Sequence, residues 1–381
     1  MSDASKLLTA AANNLAPRRA EEFLPRRFLR NGHLQTLVGN FLPRQYVLPE
    51  PEAHVVEVDH GKVDPGKSIP GQDALWPGDS MAPERFAEAA AAAHARGASY
   101  VLCHCHWQAN AGQCLTVLLV HGLEGSSRSQ YVLGNSARAW AAGCNVVRMN
   151  MRNCGVTENL SPTLYHSGLS ADVAAVMRRL AAEKLLSAFA LIGYSMGGNV
   201  VLKLAGELGK YTPDYLKAVV GVSPAMDLAV SADALHSLSN RVYEWKFLAG
   251  LRRRFRVKAE LFPAIYSTDG LERIATLRQF DDQITARYSG FRGADDYYHR
   301  ASSSRVAAQI GVPTLILHAL DDPFIRMLPS TREALLANRR VELIETTHGG
   351  HCAFLAPRAA GYDGYWAEKL LLDFLLSVTK P

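Results

Sequence analysis

Cysteine is scarce in this sequence, six in 381 residues, too few for a disulfide scaffold. Long apolar runs are missing as well: nothing approaches the roughly 18 apolar residues of a spanning helix. The stretch Leu7–Ala12 is too short for a secretory signal. Charge of one sign does not dominate. Lys and Arg number 41 against 36 Asp and Glu, a net charge of +5, which argues against nucleic acid or another polyanion as partner. The expectation is a reduced, cytoplasmic chain. An apolar fraction of 48% excludes wholesale disorder and fibrous repeats. The length suits two or three domains of about 150 residues, or one large α/β domain with insertions.

The first fifty residues carry Pro17, Pro25 and Pro43 with Arg18, Arg19, Arg26, Arg27 and Arg30 between them, and read as an irregular arm spanning 1–53. His54–Asp59 alternates apolar and polar as a half-buried strand does. A Gly/Pro/Asp-rich loop over 61–81 and an alanine-rich helix over Pro83–Arg96 follow. From about residue 99, short apolar runs alternate with helical stretches, the pattern of a mostly parallel sheet with helices on both faces. The predicted strands are Tyr100–His106, Thr116–His121, Asn145–Arg152, Phe189–Gly193, Ala218–Ser223, Pro313–Ala319 and Val341–Glu345. Helices are expected near 130–142, 168–184, 197–209, 330–338 and 362–378.

One connection is far too long for a crossover. Residues 225–312 hold 11 of the 32 aromatic side chains in 88 of the 381 positions. An aromatic-rich insertion after the sixth strand, at the carboxyl edge of the sheet, reads as a lid over a ligand site. It divides a core into residues 54–224 and 313–381.

Chemistry enters at Gly193-Tyr194-Ser195-Met196-Gly197, placed between an apolar run and a helical stretch. This is the G-x-S-x-G nucleophile elbow in its strand–turn–helix setting. A serine hydroxyl needs a base, and the base an orienting acid. Asp322 follows one strand and His351 the next, so both reach the sheet edge where Ser195 sits. Asp321 and Asp227 compete for the acid, and His348 or His121 for the base. The amides of Met196 and Leu123 are the candidate oxyanion donors, Leu123 from the loop His121-Gly122-Leu123-Glu124-Gly125. Cys103-His104-Cys105-His106 suggests a metal at first sight. On a strand, however, the cysteines face one way and the histidines the other, so no metal is expected. The lid's Arg252-Arg253-Arg254-Phe255-Arg256 follows Trp245 and Phe247. Such a run is either a solvated helix face or a peripheral contact with an anionic membrane.

These motifs together resemble the YheT-type branch of the α/β-hydrolase superfamily, which includes embryogenesis-associated plant proteins and animal α/β-hydrolase-domain lipases. The likeness rests on Arg30-Asn31-Gly32-His33-Leu34-Gln35-Thr36-Leu37, His121–Ser127, Arg148-Met149-Asn150-Met151-Arg152, Tyr165-His166-Ser167-Gly168, the elbow, Asp321-Asp322-Pro323-Phe324 and His348-Gly349-Gly350-His351. It implies an α/β-hydrolase fold with Ser195 as nucleophile, Asp322 as acid and His351 as base. It also implies ester hydrolysis without metal or cofactor, on small ester or lipid substrates. Acyl transfer by the same triad and non-catalytic lipid binding are the alternatives. Two positions depart from the family pattern: Gly32 stands where proline is usual and Asn153 where glycine is usual. His33 reads as structural.

Overall fold

A computed structural model describes residues 23–42, 44–58 and 97–379. The loop expected over 61–81 and the helix expected over Pro83–Arg96 lie outside the described residues. Eight strands form one sheet: β1 (Glu52–Val58), β2 (Ser99–His106), β3 (Thr116–Val120), β4 (Asn145–Met149), β5 (Phe189–Tyr194), β6 (Leu216–Val222), β7 (Thr314–Ala319) and β8 (Val341–Thr346). Their order across the sheet is β1-β2-β4-β3-β5-β6-β7-β8. β2 pairs antiparallel with both neighbours and the other pairings are parallel.

Successive side chains of a strand point to opposite faces, and both faces of this sheet are covered, so its interior strands are mostly apolar. Val117 and Leu119 of β3 join one core cluster, while Leu118 and Val120 join the other. The first cluster is covered by α2 (Gln130–Ala141) and the C-terminal α9 (Trp366–Thr379), through Val132 and Leu371. The second is covered by α3 (Ser170–Lys184) and α4 (Met196–Leu208), through Val173 and Val200. A helix, α8 (Pro329–Ala337), precedes β8 and takes its proline at the first turn, where a missing N–H costs nothing.

Between β6 and β7 the chain leaves the sheet. It forms α5 (Leu228–Leu235), the long α6 (Arg241–Leu261), a helical stretch through Leu277–Phe280 and the π-helical Asp281–Ala286, and α7 (Ala294–Ala301). Phe255 and Phe280 of this insertion pack into the core cluster below it.

The arm departs from expectation. It carries a helix, α1 (Gly32–Phe41), whose first turn is closed by the Asn31 side chain accepting from the Leu34 amide at 3.1 Å. The strand expected from His54 begins at Glu52, and Asp59 lies outside the described residues.

Candidate active site

The elbow is built by close packing of backbone. A Cβ on Gly193 would fall 2.2 Å from the Gly197 carbonyl oxygen, and one on Gly197 would fall 2.4 Å from the Val120 and His121 oxygens. Only glycine permits both approaches. Ser195 between them sits at φ 55° and ψ −117°, a strained conformation for a residue with a side chain. Its amide is held by the Val222 carbonyl at 2.9 Å. Met196, next in sequence, opens α4, where first-turn amides lack an intrahelical acceptor.

Asp322 is buried, and both of its carboxylate oxygens are committed. Oδ1 accepts from the amides of Phe324 at 3.1 Å and Ile325 at 2.9 Å; Oδ2 meets His351 Nδ1 at 2.8 Å. Burial disfavours the Asp322 charge, but the His351 imidazole and the Ile325 amide outweigh it and hold its pKa below the ordinary carboxylate range. For His351, burial opposes the charge while the Cys352 sulfur and the Asp322 carboxylate favour it, and its pKa is raised. Cys352 Sγ lies 3.6 Å from His351 Nε2. No motif pointed to Cys352; adjacency to His351 was its one signal.

The competing residues have other partners. Asp227 accepts from the Leu328 amide and Thr331 Oγ1, both at 2.9 Å, and so steadies the approach to α8. Asp321 accepts from the Gly350 amide at 2.9 Å and has His348 at 3.6 Å. His121 braces its own loop, with Nδ1 donating to the Gly122 carbonyl at 2.8 Å and Nε2 accepting from the Met151 amide at 3.1 Å. Burial lowers its pKa to about 4, so it stays neutral. The Arg148–Arg152 segment continues this support. Arg148 donates to the Ser127 carbonyl at 2.9 Å, and Asn150 accepts from the Ser127 amide at 2.8 Å. In the Cys-His-Cys-His strand, His104 meets Ser127 Oγ at 2.9 Å and His106 meets Arg148. Burial pushes the Cys103 thiol up to about 12.

Leu123, Ser195 and Met196 line one cavity of about 110 Å³ with Leu228, Phe247 and Leu251 of the insertion. A few polar groups interrupt its apolar wall. Among them is Asp281, which accepts from Tyr298 and Thr285 at 2.8 Å each and whose pKa burial raises to about 6.

The basic run on α6 divides. Arg254 turns inward to Glu124, Glu158 and the Asn153 carbonyl, and the buried Lys258 one turn on reaches Asn153 Oδ1 at 2.7 Å. Arg252 bonds the Ile274 carbonyl and Arg256 pairs with Glu272. Both departures from the family pattern have local reasons. A Cβ on Gly32 would lie 2.0 Å from the Asp321 carbonyl oxygen. Asn153 holds φ 63°, a left-handed conformation that asparagine tolerates better than most residues.

The family model described as "alpha/beta hydrolase fold" matches residues 116–356. "Putative esterase YheT" of Escherichia coli strain K12 is 33% identical over 276 residues, covering 71% of this chain and 79% of that protein. The chain belongs to the YheT-type branch of the α/β-hydrolase family. "Embryogenesis-associated protein EMB8" of Picea glauca is 24% identical over 354 residues, 91% of this hydrolase and 70% of that protein. "Monoacylglycerol lipase" of Saccharomyces cerevisiae is 28% identical over 264 residues, 67% of this hydrolase and 57% of that protein. Among the described residues, no helix of this hydrolase is long and apolar enough to cross a membrane.

Proposed function

We propose that this hydrolase cleaves carboxylic esters with apolar acyl groups through an acyl-enzyme on Ser195. The observation that carries the reading is the shared cavity. The elbow serine and the two candidate oxyanion residues, Leu123 and Met196, open on the same mostly apolar chamber. The relatives named as an esterase and a monoacylglycerol lipase support the choice of ester over amide or glycoside.

Ser195 Oγ attacks the ester carbonyl carbon while His351 Nε2 accepts its proton. The Leu123 and Met196 amides hold the oxyanion. As the C–O bond to the alcohol breaks, His351 returns the proton to the departing oxygen. Water then attacks the acyl-enzyme, giving its proton to His351, which passes it back to Ser195 Oγ as the acid leaves. Asp322, bonded to Nδ1 throughout, fixes the imidazole tautomer and stabilises the imidazolium.

Hydrolysis of p-nitrophenyl esters from acetate to palmitate, beside monoacylglycerols, tests the proposal. The expected profile peaks at short to medium acyl chains and vanishes in Ser195→Ala. An inactive wild type of native fold across the whole series overturns it.

A further inference from the structure

Two helical faces at the insertion stand out from the core. On α1 and just before and along α6, exposed apolar residues recur at helical spacing: Leu34, Leu37 and Phe41 on one, Leu238, Val242 and Trp245 on the other. The opposite face of α1 buries Gln35 and Thr36, and that of α6 buries Leu248 and Leu251, so neither stripe belongs to the core. The helices lie side by side. His33 Nδ1 is 3.3 Å from the Tyr243 hydroxyl with the rings stacked, and Lys246 Nζ sits 5.4 Å from the Phe41 ring centroid. Trp245 is 73% exposed and Phe41 68%, unusual for large rings on adjoining helices.

The segments that carry these stripes are basic. Residues 23–42 contain Arg26, Arg27 and Arg30 and no Asp or Glu. Between 238 and 253 the basic residues are Arg241, Lys246, Arg252 and Arg253. The single acid there, Glu244, is buried against His236 and the Leu277 amide. An aromatic and aliphatic face whose own segments carry these cations, and no exposed acid among the described residues of 23–42 and 238–253, complements an anionic lipid surface. α6 faces both ways: Phe247 and Leu251 line the cavity of Ser195 while Trp245 points outward.

We infer that the paired outer faces of α1 and α6 dock on an anionic lipid surface, placing the cavity roof beside the membrane from which an apolar ester would be drawn. The docking deepens the ester-hydrolase reading, yet it is measured without turnover. Ser195→Ala protein is sedimented with vesicles of phosphatidylcholine alone or mixed with phosphatidylglycerol. Alongside it runs the same protein carrying Phe41→Ser and Trp245→Ser, both exposed positions, with thermal melts confirming the fold. The expected result is binding at least about tenfold tighter to the anionic vesicles, weakened by salt and lost in the double substitution. Equal sedimentation of the two proteins overturns the proposal, as does absence of binding to anionic vesicles. A dimer abolished by Phe41→Ser and Trp245→Ser, read by analytical ultracentrifugation, also overturns it by assigning the face to a second copy. Failure of the hydrolase reading would show instead as loss of ester turnover with vesicle binding intact.

Discussion

The hydroxyl of Thr36 accepts a hydrogen bond from the backbone amide of His351 at 2.8 Å and donates one to the Gly32 carbonyl at 2.7 Å. A helix near the start of the chain thus sets the height of the imidazole loop near its end. Gln35 adds a second tie, donating to the Leu355 carbonyl and accepting from the Leu355 amide. Gly350, at φ 59°, leaves no room for a side chain, because a Cβ there would fall 2.4 Å from the Gly32 oxygen. The arm is therefore part of the scaffold of the site.

Thr36→Val removes that acceptor while keeping the side-chain shape. The half-buried amide left behind costs about 1 kcal/mol in urea unfolding. Ester turnover falls on the order of tenfold to a hundredfold in kcat as the imidazole loop drifts, with KM little changed. Thr36→Ser, which restores the hydroxyl, recovers most of both. A Thr36→Val protein of wild-type kcat would remove the arm from the account.

Much of this architecture was legible in the sequence, and the limits have physical causes. Interior parallel strands are buried on both faces, so β3 to β7 appear as short apolar runs whose ends fall within a few residues of the structure. The elbow is legible because its geometry is local: two glycines, one serine and the elements either side. The α1 helix is short, glycine-punctuated and apolar on its outer face, so its pattern resembles no buried helix. Thr36 and His351 meet only through tertiary folding across most of the chain. The inward turn of Arg254 depends on Glu124 and Glu158 waiting in two other loops, which no local pattern encodes.

Arg254 provides a second prediction. It bridges Glu124 and Glu158 at 3.1 Å each, and Glu124 also accepts from the Tyr165 hydroxyl at 2.7 Å. Glu124 directly follows Leu123 and holds the left-handed φ of 57°. Arg254→Met leaves two largely buried carboxylates without their shared cation and costs up to about 3 kcal/mol in denaturant. Its kcat falls through loss of Leu123 alignment. Combining it with Glu124→Gln costs less than the sum of the two single changes. Strict additivity would show that the two side chains act independently.

The His351 surroundings fix a pH dependence. Asp322 and Cys352 favour the imidazolium, so the acid limit of kcat/KM lies above the ordinary imidazole value of about 6.5. Cys352→Ala removes one of the two and moves that limit to lower pH without abolishing turnover. An unmoved limit would mean that the thiol contributes nothing to the base.

The same pair makes stability depend on pH. The lowered Asp322 pKa contributes stability present above its unfolded value of about 3.9 and lost as pH falls through the folded one. The raised His351 pKa contributes stability present below about 6.5 and lost as pH rises through the folded value. Both contributions are present from about pH 4 to 6.5, so Asp322→Asn lowers the melting temperature most inside that window. An equal loss at pH 5 and at pH 9 would contradict the coupling.

The central claim is that Ser195 is a nucleophile activated by His351. Intact-mass spectrometry after exposure to a fluorophosphonate measures this directly. The account predicts one adduct per wild-type chain, located on Ser195, sharply slowed in His351→Ala and absent from Ser195→Ala of native fold. A folded wild type that gains no adduct, or a Ser195→Ala protein labelled as fast as wild type, would contradict it.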